Sequence, residues 1–396
     1  MKQKVVIIGV SFSSRLALAR SIGALDCDIT VIAWSSSQKE SKPIDGYSKY
    51  VSRVLFCRKE EAPFIKLLKE QCVDPKQKVV LVPDCDFSVS IIDLHLDELS
   101  PFFLFPTINH QQGSIVEWSD KLRQKELASR IGMEVAKSTV IEIKDGQFDI
   151  PDTISYPCFP KPLASVAGGK AGMRRCENKH DLENSLLEII RKKTSNTMVL
   201  VEDYMEIEKE YAVLGFSDGK EVCIPGVIQF IVGSKTQKGI ALQGRIMPID
   251  GFARTIEQFK EYVRSVGLVG LFDIDFYESR GRLFFSELNL RYGGSGYAVV
   301  KMGVNLPAMF VSYLMGQNVD GFDKVLEDDA IFTNERMCYN DLLYGHIDWR
   351  QYQHYIKTAD ILFIKDDEDY EPYHSFQKMV VFAAMKSYIK SLLRWK

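Results

Sequence analysis

The sequence predicts a mixed α/β (α+β) chain of several domains. Two observations lead there. Near the N-terminus, apolar strand-like runs flank a helical pattern, the sign of a parallel βαβ unit. Further on, alternating aromatic and β-branched runs are joined by tight glycine turns, the sign of antiparallel hairpins. A length of 396 residues allows roughly two to four domains. With 46% hydrophobic and 26% charged residues, the chain reads as globular rather than disordered.

Charge and cysteine usage narrow the functional classes. A net charge of −3 gives no sign of a nucleic-acid partner. The cysteines at 27, 57, 72, 85, 158, 176, 223 and 338 form no Cys-x-x-Cys pair and no zinc spacing. Free thiols in a reducing compartment are expected, hence a cytoplasmic location. A strand begins almost at once, so no signal peptide is expected. No apolar run reaches the ~18 residues that a spanning helix needs.

Residues 4–8 read as a buried parallel strand, because both faces of such a strand are covered. Gly9-Val-Ser-Phe-Ser-Ser leads into a helical pattern over 15–24, and 29–34 is a second apolar strand. The turn lacks Gly-x-Gly-x-x-Gly, so dinucleotide binding is not supported. Its N–H groups and the hydroxyls of Ser11, Ser13 and Ser14 could meet an anion, and a plain turn reads equally well. Residues 60–72 look helical. Residues 79–83 form another buried strand, ending in Pro83-Asp84-Cys85-Asp86, where open parallel sheets bind ligands. The polar stretch 109–114 is the expected end of the first domain.

Ser119 is the expected N-cap of a helix carrying Lys121 and Lys125 on one face. A strand follows at 139–143. Lys161 lies in Phe-Pro-Lys-Pro, at a strand end, and precedes a loop of small residues containing Ser165, Gly168, Gly169 and Lys170. Glycines permit close backbone approach and lysine offers a point charge to phosphate, though the spacing is not that of a P-loop. A helix at 181–192 leads to a strand at 198–203 that enters Glu202-Asp203-Tyr204-Met205. Residues 208–216 and 221–231 pair across a turn at 217–220. A polar loop at 235–244 precedes Arg245, and helices are expected at 255–265, 298–302 and 306–315.

The most informative stretch is 270–296. Residues 271–277 and 282–290 form a hairpin turning at Arg280-Gly281. Alternation puts Asp273 and Asp275 on one face of the first strand, and Glu287, Asn289 and Arg291 on one face of the second. If the faces coincide, acids, an amide and a guanidinium crowd together, which is costly without a compensating ion. Hard oxygen ligands beside an arginine suit Mg²⁺ holding a polyphosphate. An exposed face with solvated charges is the alternative.

From about residue 326 the chain is expected to stand apart. Asp366-Asp367-Glu368-Asp369 reads as a solvated turn. The basic segment 375–396 reads as a helix with Lys386, Lys390 and Arg394 on one face and Phe382, Met385, Ile389 and Leu393 on another. Packing on its own domain is expected, with weak contact to an anionic membrane surface as the other reading.

Taken in order, these parts carry a resemblance. A βαβ domain, an Asp-Lys-x-x-x-Lys helix, a strand lysine with a Gly-rich loop, Val-Glu-Asp-Tyr, Asp-x-Phe and Glu-x-Asn-x-Arg are similar to the ATP-grasp superfamily. Within it they resemble the carboxylate–amine ligases, D-aspartate ligase and carbamoyl phosphate synthetase among its members. The resemblance covers roughly residues 1–325. It implies an ATP-grasp fold with a Rossmann-like pre-ATP-grasp domain at 1–113. It further implies a lysine-and-flap subdomain at 114–200, a hinge-and-metal subdomain at 201–325, and a C-terminal extension at 326–396. ATP and Mg²⁺ are the implied cofactors.

By position, Lys125 matches the helix lysine that reaches the phosphates, and Lys161 the strand lysine near the α-phosphate and adenine. Ser165, Gly168, Gly169 and Lys170 match the flap. Glu202, Asp203, Tyr204 and Met205 match the adenine hinge, and Glu210 the acid on the ribose. Asp275, Glu287 and Asn289 match the Mg²⁺ ligands, and Arg291 the arginine facing phosphate or acceptor. Leu290 departs from the proline of many relatives. Arg245 has no match and is a candidate for holding an acyl phosphate.

The implied chemistry needs no nucleophilic side chain, which suits six isolated histidines. ATP converts a carboxylate to an acyl phosphate, an amine displaces phosphate, and the protein aligns reactants and neutralises charge. The expected function is an ADP-forming ligase adding an amino acid to a cell-envelope, sugar or small-molecule acid. A peptide or natural-product ligase differs only in the acceptor. A non-catalytic ATP-binding module would need no metal ligands. Small-molecule acids and amines are the expected partners, and a homo-oligomer is compatible with the sequence.

Overall fold

The computed structural model describes residues 2–35, 41–163, 172–192, 196–237 and 239–393. Its N-terminal sheet is parallel, in the order Val51–Cys57, Asp28–Trp34, Lys4–Gly9, Val79–Pro83, Phe103–Leu104. The central strands are apolar throughout because helices cover both faces: Val5, Ile7, Ile8 and Val79 to Leu81 are fully buried. Ile8 lies beside Pro83, so the turn after Gly9 and the turn after Pro83 open at the same edge. The edge strand Val51–Cys57 and the helix Asp86–Leu94 carry no clear signal in sequence. Ser52 and Arg53 interrupt the apolar run of the strand, and Phe-Ser-Val-Ser-Ile alternates like a strand although it is helical.

A small antiparallel sheet follows, in the order Ser138–Ile143, Thr197–Asp203, Cys158–Pro162. The helix Lys179–Lys192 covers it, burying Leu182, Leu186 and Ile189 against Ile141 and Val199. The helix Lys121–Arg130 begins one residue later than expected. Asp120, not Ser119, is its N-cap and accepts from the Arg123 N–H at 2.9 Å. Ser119 instead donates to the Ile115 carbonyl of the preceding turn.

The large sheet runs Ile361–Leu362, Ala330–Thr333, Ala241–Met247, Val227–Gly233, Lys209–Asp218, Leu268–Ser279, Arg282–Asn289, Glu134–Val135. Ala253–Val266 packs on one face through Ile256, Phe259, Tyr262 and Val263. On the other face an apolar cluster containing Leu214, Phe216 and Phe310 continues into Val5 and Ile7 of the N-terminal sheet. The expected strand at 221–231 is broken. Val222–Cys223 and Val227–Gly233 flank Ile224-Pro225-Gly226, where proline has no N–H for the ladder. Residues 241–244, expected in a loop, are strand.

The chain beyond 326 does not stand apart. Ala330–Thr333 pairs with Ala241–Met247 and extends the large sheet. Buried Glu335 accepts the N–H groups of Phe363, Ile364 and Lys365, and so anchors a later loop. The acidic run is a turn solvated only at its centre, where Asp367 and Glu368 are exposed. Asp369 is 3% exposed and accepts from Arg20 Nε at 2.9 Å, Ser48 Oγ at 2.7 Å and the Lys49 N–H at 2.9 Å. In the helix Glu371–Leu393, Phe376 and Val380 are buried, but Phe382 and Met385 of the expected apolar face are exposed, and the side chains of Ile389 and Leu393 lie outside the described residues. The side chains of Lys386 and Lys390, and Arg394, lie outside the described residues. Among the described residues no helix is long and apolar enough to cross a membrane.

Candidate active site

The hairpin Leu268–Ser279 and Arg282–Asn289 turns at Arg280-Gly281, both with positive φ, at 52° and 69°. Two positive φ values in sequence are the type I′ geometry that matches strand twist, and glycine at the second position lowers its cost. Near the turn Phe284 opposes Tyr277 and Phe285 opposes Phe276. Beyond a register shift, Glu287 opposes Asp275 and Asn289 opposes Asp273. Ser286 is the extra residue. It keeps Phe284, Glu287 and Asn289 on one face, with Tyr277, Asp275 and Asp273. The two predicted faces therefore coincide.

Asn289 Nδ2 donates to Asp275 Oδ2 at 3.1 Å. Arg291 donates from Nε to Asp86 Oδ1 at 3.0 Å and from Nη2 to Asn289 Oδ1 at 3.4 Å, and its Nη1 lies 3.5 Å from Asp273. Burial pushes the Asp273 carboxyl up to about 6, against Arg291 and with Glu287 adding to the rise. Asp275 is raised well above the usual range by burial and by Asp273 and Glu287. Burial opposes ionisation of Glu287 too, but Lys121, with Lys161 and Arg291 behind it, holds that carboxyl low. Asp273 Oδ1 is buried without a hydrogen-bond partner. Among the described residues no three His, Cys, Asp or Glu side chains are disposed to share a metal ion. The set is two acids and an amide, with Lys121 ion-paired to Glu287. Mg²⁺ commonly takes one or two carboxylates and completes its shell with phosphate and water, so the donors fit such an ion.

A second cluster stands on the small sheet. Glu202 is 6% exposed and forms ion pairs with Lys125 and Lys161, the latter at 2.6 Å. Burial works against its ionisation, yet Lys161 and Lys125 hold its carboxyl low. Lys125 is already paired in this structure. It is buried against Glu202 and the Ala136 carbonyl rather than extended into an open site, and burial lowers its ammonium pKa. Lys161 lies on Cys158–Pro162 opposite Leu200, as expected. The hinge is partly used already. The Tyr204 N–H donates to the Pro157 carbonyl and the Asp203 N–H to the Lys137 carbonyl, while the Arg175 guanidinium lies 4.5 Å above the Tyr204 ring. Met205 follows in the loop, and Glu210 is exposed on Lys209–Asp218. The flap positions Ser165, Gly168, Gly169 and Lys170 lie outside the described residues.

Arg245 is not part of either cluster. It is ion-paired with Asp329 at an exposed position, because it stands on the outer side of its strand. The arginine that does face the site is Arg336, just after the N-cap Asn334 of Glu335–Leu343. It lines a cleft of about 320 Å³ with Ser11, Asp84, Asp86, Asp275 and Arg291. Nothing local in sequence marks Arg336, since only the sheet extension at 330–333 carries it there. Lys121 was legible as the neighbour of Lys125 on one helix face, but its partner Glu287 was not.

Residues 120–309 match the family model described as carbamoyl-phosphate synthase L chain, ATP binding domain. The chain is similar to the carbamoyl phosphate synthase large chain of Gemmatimonas aurantiaca, 26% identical over 207 residues, covering 50% of this chain and 18% of that one. It thus spans less than a fifth of the length of that relative. Among solved structures, the biotin carboxylase domain of Hydrogenobacter thermophilus 2-oxoglutarate carboxylase, in complex with MgADP, ADP and bicarbonate, aligns with a TM-score of 0.66. Identity there is 19%, over 84% of this chain and 74% of that one. The L-amino acid ligase of Bacillus licheniformis aligns with a TM-score of 0.63 at 13% identity, over 84% and 79%. The chain has the ATP-grasp fold, and residues 120–309 match its ATP-binding domain. In this ATP-grasp fold the matched segment contains the hairpin and both lysine clusters, whereas Asp84, Asp86 and Arg336 lie outside it.

Proposed function

We propose that this protein of ATP-grasp fold is an ADP-forming ligase that joins a carboxylate to an amine, with an amino acid as one reactant. The observation that carries the proposal is the meeting of two clusters. Lys121 ion-pairs with Glu287 of the hairpin, while Lys125, one turn further along the same helix, and Lys161 ion-pair with Glu202 of the small sheet. Cations thus border the acids and amide of the hairpin, the setting a metal polyphosphate requires. The L-amino acid ligase among the structural neighbours supports the choice of reactant.

In this reading residues 1–113 hold the reacting acid, 114–200 and 201–325 enclose the nucleotide, and 326–396 complete the cleft. Asp275, Glu287 and Asn289 would hold Mg²⁺. Magnesium ATP, when bound, supplies the phosphoryl group that activates the carboxylate. Lys121, Lys125 and Lys161 neutralise phosphate charge, and Arg291, fixed by Asp86 and Asn289, orients the acid beside it. Glu202 and the loop through Met205 receive the adenine, and Glu210 the ribose. We place the reaction in the cytoplasm, and an acceptor of peptide or natural-product type suits the same chemistry.

The test is ADP release from MgATP with pooled amino acids and candidate acids. Glu287→Gln should lower turnover by about 100-fold or more, because it removes a metal-facing charge. Full activity in that variant would overturn the metal assignment. Nucleotide binding with no turnover on any pool would leave a binding module instead of a ligase.

A further inference from the structure

We infer that the cleft beside Arg291 takes a zwitterion, an amino acid, with its ammonium group on Asp84 and its carboxylate on Arg336 and Ser11. The inference rests on the ligase reading for its role, but its observations are independent of the nucleotide site. Asp84 closes the strand Val79–Pro83 and lines the cleft. The residue is partly exposed, but both carboxylate oxygens are shielded from solvent; the Val10 backbone N–H lies near enough to favour the charged form, yet neither oxygen completes a hydrogen bond of good geometry. Gly9 makes room for it, since a Cβ there would lie 1.8 Å from Asp84 Oδ1. A shielded carboxylate without a well-formed hydrogen bond is unfavourable, and a ligand cation would relieve it.

The arginines nearby differ in the same way. Arg15 is matched by Asp45, with contacts of 2.8 and 3.0 Å. Arg291 is matched by Asp86. Arg336 donates from Nη1 to Ser11 Oγ at 2.8 Å, and among the described residues it forms no ion pair with a carboxylate. Ser11 Oγ in turn lies 2.7 Å from Ser13 Oγ, at the start of the helix Phe12–Gly23. One acid and one guanidinium therefore face the same cleft, neither in ion-pair contact with an opposite charge among the described residues. A phosphate-bearing ligand would suit Arg336 but repel Asp84, and a simple amine would do the reverse. A molecule carrying both charges answers both groups, and about 320 Å³ is room for one.

The experiment uses the full chain with MgATP, and hydroxylamine as a general nucleophile. ADP release is compared across matched sets: alanine, propionate and ethylamine; aspartate, succinate and β-alanine; and so on through the amino acids. Calorimetric titration of the same compounds tests binding without turnover. At least one amino acid should exceed its des-amino and decarboxylated analogues by about 10-fold or more in kcat/KM. Asp84→Asn and Arg336→Gln should each raise KM for that amino acid by about 10-fold or more, leaving KM for ATP within about twofold. Equal use of the des-amino analogue, or an unchanged KM in both variants, would overturn the inference. Amino-acid binding that is lost in Asp84→Asn, without ADP release in any set, would uphold this site and reject the ligase. Turnover with phosphorylated acids alone would uphold the ligase and reject the site.

Discussion

At residue scale, two buried carboxyl groups take opposite paths. Glu202 has two ammonium partners and stays ionised, although burial opposes it. Asp84 has none. Burial pushes its carboxyl up to about 7, against Arg15 and Arg291, with Asp45 adding to the rise and Arg336 facing it across the cleft. An unfolded aspartate titrates near about 3.9. The folded state therefore carries a disfavoured charge above about pH 7, and that penalty disappears as the pH falls toward about 4. Between those values the folded chain holds a proton that the unfolded chain does not, so this group makes stability fall as the pH rises. Urea unfolding of the wild type and Asp84→Asn at pH 5.5 and pH 8 checks this. The wild type should lose on the order of 2 kcal/mol more than the variant over that span. Parallel profiles would show that Asp84 is paired or hydrated. The acid itself was legible, as a carboxylate at the end of a parallel strand. Its lack of a partner was not, because that depends on which arginines other elements had already matched.

At the scale of elements, the hairpin shows what alternation can and cannot tell. Period two placed Asp273 with Asp275, and Glu287 with Asn289, and the structure brings them together. It did not show the register shift at Ser286, because a bulge changes pairing without changing composition. Without that residue the return strand would have to choose. Either Phe284 keeps its stacking on Tyr277, with ring centroids 5.6 Å apart, or Glu287 keeps facing Asp275. Each register turns a set of apolar side chains out of the core. Deleting Ser286 should therefore abolish cooperative urea unfolding, while Ser286→Ala should change stability by less than about 1 kcal/mol. A deletion variant that unfolds like the wild type would mean that the bulge is dispensable. The break at Ile224-Pro225-Gly226 and the helix Asp86–Leu94 were missed for a related reason. Local pattern decides an element only where tertiary packing does not overrule it.

At the scale of the molecule, the last seventy residues or so illustrate how topology escapes local reading. They looked separable because their charge pattern differs from the rest. In the structure they return to both larger sheets: Ala330–Thr333 joins one, and Asp369 reaches the helix and loop beside the other through Arg20 and Ser48. Arg20 is 7% exposed and gives further hydrogen bonds to the carbonyls of Phe363, Ile364 and Asp369. Removing the carboxylate leaves that guanidinium buried without its counter-charge, which is more harmful than never having the pair. Asp369→Ala should therefore cost about 3–5 kcal/mol in urea unfolding. An exposed pair of the same residue types would contribute at most about 1 kcal/mol, so the two pictures separate cleanly. A loss that small would mean that the segment rests on the N-terminal sheet without being fastened to it. The position of Arg336 in the cleft would then depend on the strand Ala330–Thr333 alone.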